Sequence, residues 1–108
     1  MIDYSKIPES TMETLEAWIE SARPTGGFVY AVLSNNLYEA MGRADESNRA
    51  ALYEICCWLQ NRAPIGCWGS PESVAAWTEF KKAERRRNSH VAEPFRGLIN
   101  EFTGGDAA

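Results

Sequence analysis

Apolar residues recur along this chain every three or four positions, and that rhythm stops at proline and glycine and lapses from Asn88 to Glu93. A period near 3.6 with such punctuation admits helices and little else. In SKIPESTMETLEAWIESARP, Met12, Leu15, Trp18, Ile19 and Ala22 line one helix face. Ser10 and Glu13 have capping-box spacing, in which each side chain satisfies the other's free backbone amide. Pro24 disfavours the helical conformation at Arg23, so the first helix is expected over residues 10 to 23.

The following segment, FVYAVLSNNLYEAMG, places Phe28, Ala31, Val32, Asn35 and Tyr38 on overlapping faces. Val29, Leu33, Leu37, Ala40 and Met41 fill the neighbouring stripe. So broad an apolar surface predicts one central helix packed on several sides and closed at Gly42, a residue suited to the carboxyl-terminal cap. Asp45 or Ser47 can cap a third helix carrying Leu52, Ile55, Cys56 and Leu59, which Pro64 ends. The short link from Gly42 to Glu46 makes these two helices an antiparallel αα-hairpin. Ser70, Pro71 and Glu72 announce a fourth helix, with Val74, Trp77, Phe80 and Lys81 on one face and a basic end, KKAERRR. Pro94 can open a short fifth helix, PFRGLINEF, before a mobile tail over about 103–108. The expectation is an all-α fold: a single domain over 1–108, with four main helices, a short C-terminal helix and a central αα-hairpin.

A chain of 108 residues supports one modest core, so self-association is a natural source of further burial. Eleven basic against fifteen acidic residues argue against wholesale attraction to nucleic acid. No apolar stretch approaches the roughly 20 residues of a membrane helix. The amino terminus lacks a secretory hydrophobic region, so a cytoplasmic protein without membrane contact is expected. Cys56, Cys57 and Cys67 form an odd set without paired CxxC spacing, which points away from disulfides and structural metal. Cys56 and Cys57 diverge by about 100° on a helix, so at least one serves as a small core residue.

Four constellations are candidate sites. Thr25, Gly26 and Gly27, assisted by Arg23 or Arg43, can offer free helix amides to a phosphate or carboxylate. The same glycines serve equally as the tight corner between two helices, since neither a Walker loop nor a dinucleotide fingerprint is present. Asn35, Asn36, Glu39, Arg43 and Asp45 interrupt the central helix either as a ladder of local i, i+4 contacts or as a polar partner surface. Lys81, Lys82, Arg85 and Arg86, with Arg87, form a compact basic stripe that is a solvated helix end or a nucleic-acid contact. Trp18, Trp58 and Trp77 fall on core stripes, whereas Trp68 sits in the loop GCWGSP as a lid, a staple or an interface anchor. No catalytic set is recognisable: His90 is the single histidine, and no serine or cysteine has an identifiable base.

The assembly IPES, PTGGF, AVLSNN, LYEAMGRAD, SNRAAL and WGSPESVAAW, spanning residues 7 to about 80, resembles a group of short uncharacterised proteins encoded by bacteriophages and prophages. Asn36 departs from the aspartate expected in that pattern. The resemblance implies a phage-type protein that acts by binding, whether it blocks a host enzyme, modulates repair or transcription, or sequesters a nucleotide signal. The leading expectation is a non-enzymatic protein without cofactor or metal, acting in the host cytosol through a protein interface or homo-oligomer, as an inhibitor or an accessory factor of a host process. Phe28, Asn36, Glu39 and Trp68 are the interface candidates. Alternatives are a small-ligand binder that holds a nucleotide or anion at the glycine corner, and a nucleic-acid-binding accessory protein using the basic stripe.

Overall fold

In the computed structural model, residues 2–98 are described in their backbone and residues 2–88 in their side-chain surroundings. The fold is all-α, with no strand among the described residues. A short 3₁₀ helix, Tyr4–Lys6, is followed by α1 (Glu9–Ser21), α2 (Gly27–Leu33), α3 (Leu37–Arg43), α4 (Glu46–Ala50), α5 (Leu52–Arg62) and α6 (Pro71–Leu98). The chain groups into two compact units, Met1–Thr78 and Glu79–Ala108. No described helix is long and apolar enough to cross a membrane.

The helix count differs from the expectation in three places. The single central helix is two short ones, α2 and α3, broken at Ser34–Asn36. Asn35 takes a left-handed conformation, φ 64°. The amide of Asn36 then donates to the Ala31 carbonyl at 2.8 Å and that of Asn35 to the Val32 carbonyl at 3.0 Å. These are the paired bonds of a Schellman ending, which satisfy carbonyls the last turn would leave free. Asn36 at once starts α3, its side-chain oxygen accepting from the Glu39 amide at 3.2 Å. The third helix is likewise split, α4 being capped by Asp45, which accepts from the Asn48 amide at 2.8 Å. The fourth helix runs on to Leu98, so as far as the described backbone goes Pro94 opens no separate helix. Residues 99–108, including the tail expected to be mobile, lie outside the described residues.

The hairpin is also relocated. Among the described residues α2 and α3 lie extensively against each other, folded back across a three-residue corner, and no comparable contact joins them to α5. Gly42 is not a terminal cap. It lies inside α3, which ends at an extended Ala44. In α1 the Ser10–Glu13 box does not form, because Pro8 stands at the N-cap and the helix begins at Glu9. The helix closes at a left-handed Ala22, φ 54°, ahead of the Arg23–Pro24 step.

The core of the first unit joins Ile7, Leu15 and Trp18 to Val29, Val32 and Leu33, with Ile55, Leu59 and Val74 completing it. Two tryptophans tie its elements together. The buried Trp18 indole donates to the Cys67 carbonyl at 2.9 Å, fixing the α5–α6 loop on α1. The Trp77 indole donates to the Trp18 carbonyl at 3.2 Å, which fixes the start of α6 on the end of α1. From the same loop the Gly69 amide reaches the Leu33 carbonyl at 2.7 Å, anchoring the end of α2 where the chain turns into α3. Ser70 caps α6 as expected, accepting from the Ser73 amide at 3.0 Å.

Candidate functional site

The α2–α3 corner determines what α3 can offer. After the break at Asn35 the short helix retains one buried residue, Ala40, as its foothold on the core. Leu37, Tyr38 and Met41 are left facing outward, 65%, 88% and 47% exposed. At about 100° per residue these three and Gly42 fall on one continuous face. Together they line a shallow apolar depression. On the next stripe Glu39 and Arg43 form an ion pair at 2.9 Å, with both side chains at least half exposed. The face is therefore apolar along its middle and rimmed by paired charge on one side.

The face was not legible as such in the sequence, where Leu37, Tyr38 and Met41 read as interior stripes of a continuous helix. A signal was nonetheless present. Asn35 and Asn36 are the two residue types suited to a left-handed ending and to an N-cap, and Glu39 stands three residues beyond Asn36, the spacing of a capping box. Both asparagines are exposed, so neither is the buried amide the continuous helix required. Glu39–Arg43 is the formed rung of the expected ladder, and Asn35 is outside the helix that would have brought it to Glu39.

Four of the residues grouped at the glycine corner separate into two grooves. Thr25 and Gly26 line one of about 320 Å³ with Trp18, Pro24, Tyr30 and Val74. Gly27 and Arg43 line another of about 320 Å³ with Tyr30, Ser34, Asn36 and Glu39. Gly26, at φ 83°, supplies the turn. Gly27 is a close-approach glycine, since a Cβ there would lie 2.8 Å from the Arg43 guanidinium. The arginine thus covers the glycine and is paired with Glu39. The Thr25 hydroxyl is turned to the Gly26 carbonyl at 3.3 Å. With seven residues, α2 also carries a small dipole.

Of the interface candidates, Phe28 and Trp68 are half-buried against the core. Trp68 lines a cavity of about 50 Å³ with Val32, Leu37, Ala40, Leu52 and Cys56. Asn36 and Glu39 remain at the surface, on the rim of the α3 face. In the second unit, Lys81 bonds Glu84 at 3.0 Å and Lys82 approaches Glu79 at 3.6 Å, so two cations of the basic stripe have carboxylate partners. Arg85 and Arg86 are exposed.

Burial pushes the Cys67 and Cys56 thiols above their ordinary range, Cys56 with a further push from Cys57. Such thiols are poor nucleophiles, because the thiolate is the reactive form. The Tyr53 hydroxyl is also raised, chiefly by its hydrogen bond with Cys57. Among the described residues no group of three or more His, Cys, Asp or Glu side chains is placed to hold a metal ion. Comparison of the chain with protein-family models, curated proteins and solved structures returned no match.

Proposed function

We propose that this chain is a non-enzymatic binding protein that works by protein contact, and that its contact surface is the outer face of α3. The observation that carries the proposal is the adjacency of three large apolar side chains, Leu37, Tyr38 and Met41, on a helix whose one buried residue is Ala40. Exposed tyrosine beside aliphatic residues is the chemistry of interface anchors, since an aromatic ring brings large contact area for few frozen torsions. The nearby ion pair supplies a polar rim that sets orientation more than affinity. In keeping with the phage-type resemblance, the expected setting is a host cytosol and the expected action is inhibition of a host process by occupation of a surface.

A bacterial-lysate capture with the tagged chain and its Tyr38→Ala and Leu37→Ser variants tests this. Retention of a protein, or of a second copy of the chain, by the parent and at least tenfold less by either variant is expected. Equal retention by all three would reject α3 as the surface. Tyr38 and Leu37 are exposed enough for both variants to keep the fold, which circular dichroism checks.

A further inference from the structure

Gly42 has no explanation inside the chain. It is helical, its φ is not positive, it does not end α3, and a Cβ built on it meets nothing within 4 Å. Glycine in such a position weakens a helix relative to alanine. A glycine with room for a Cβ leaves the backbone there open to close approach from outside. Gly42 lies one turn from Tyr38, the most exposed of the three apolar residues on this face.

We infer that the occupant is a second copy of this chain, its α3 packed antiparallel on the first. This rests on the proposed role of the α3 face and names its partner. The argument is self-complementarity. An isologous contact needs a surface in which residue i meets j while j meets i. A two-fold axis crossing the helices near Ala40 and Met41 sets Tyr38 of each copy into the depression at Gly42 of the other. The same axis keeps each flank facing its own image. Leu37 and Met41 then pack on their counterparts along one side. Along the other, Glu39 of each copy lies opposite Arg43 of its mate, so opposite charges meet. A parallel two-fold pair would instead set Tyr38 on Tyr38 and bring the charged flank of each copy beside the apolar flank of the other.

Sedimentation velocity of the full chain, followed through roughly 0.5 mM where weak dimers are still populated, tests the inference. The parent is expected to dimerise. Gly42→Ala is expected to raise the folding equilibrium constant about twofold to fivefold by removing unfolded-state freedom and yet weaken the dimer at least tenfold. Neither change alone carries that opposed signature. Glu39→Arg and Arg43→Glu should each weaken self-association, and an equimolar mixture of the two should restore it as a heterodimer. A parent that stays monomeric overturns the inference, as does a dimer indifferent to Gly42→Ala and to the charge exchange. A monomer whose lysate partner is still lost with Tyr38→Ala would defeat the dimer while leaving the α3 face standing. A monomer with no Tyr38-dependent partner would defeat both.

Discussion

Substitution of Asn35 by alanine separates two accounts of residues 28–43 by the sign of the effect. With φ at 64°, Asn35 occupies a region where a Cβ crowds the following carbonyl, at about 1–2 kcal/mol for an ordinary residue. Asparagine tolerates it better than alanine, so Asn35→Ala should cost about 1 kcal/mol. If the segment were one continuous helix, the same substitution would stabilise by about 0.6 kcal/mol, because alanine is the better helix former. Asn35→Gly should equal or exceed the parent, since glycine adopts positive φ without steric penalty. Urea unfolding followed by far-ultraviolet circular dichroism reads the difference. At about 1–1.5 kcal/mol per molar for a small domain, alanine should lower the midpoint by roughly 0.7–1 M. A midpoint at or above that of the parent for Asn35→Ala would refute the left-handed corner and the exposure of α3 derived from it.

Trp18→Phe removes the indole donor from the Cys67 carbonyl, leaving a buried acceptor unpaired, and should cost about 2–4 kcal/mol with the lost packing, read by the same unfolding curve. Gly26→Ala should cost about 1–3 kcal/mol through its φ of 83°. Gly27→Ala should stay within about 0.5 kcal/mol of the parent, because the atoms its Cβ meets, Arg43 Nη1 at 2.8 Å and Cδ at 3.1 Å, belong to an exposed, flexible side chain that can swing aside. The raised thiols of Cys56 and Cys67 favour the folded state fully below the ordinary thiol pKa. That contribution should be lost as pH rises, because the unfolded chain ionises first. Unfolding midpoints at pH 7 and pH 10 should therefore differ more for the parent than for a Cys56→Ala, Cys67→Ala chain.

Helical class was legible because the apolar period is unbroken over each segment, and the start of α6 because Ser70, Pro71 and Glu72 carry three independent start signals. The α2–α3 break was hidden by the same period: Leu33, Leu37, Ala40 and Met41 keep helical spacing straight through a corner. Periodicity records which residues are apolar, whereas the left-handed Asn35 is a local backbone choice stabilised by the Gly69 amide, which is brought to the Leu33 carbonyl from a distant loop. The candidate site inherited that error, as a continuous helix buries Tyr38 and a broken one exposes it. The Glu39–Arg43 rung was legible as an i, i+4 pair, whereas the cover that Arg43 places over Gly27 depends on the α2–α3 corner and emerges only in three dimensions. On the basic stripe the pairing was legible, since Glu79 and Glu84 stand three residues from Lys82 and Lys81.

The most direct test of the α3 face places a benzophenone photocrosslinker at Tyr38, where its bulk resembles the ring it replaces, and at Glu16 on the exposed side of α1 as a control. Irradiation under conditions where the chain meets its partner is expected to give covalent protein adducts from position 38, to a second copy of the chain foremost, and none from position 16. Adducts of equal yield from both positions, or from Glu16 alone, would contradict a contact surface on α3.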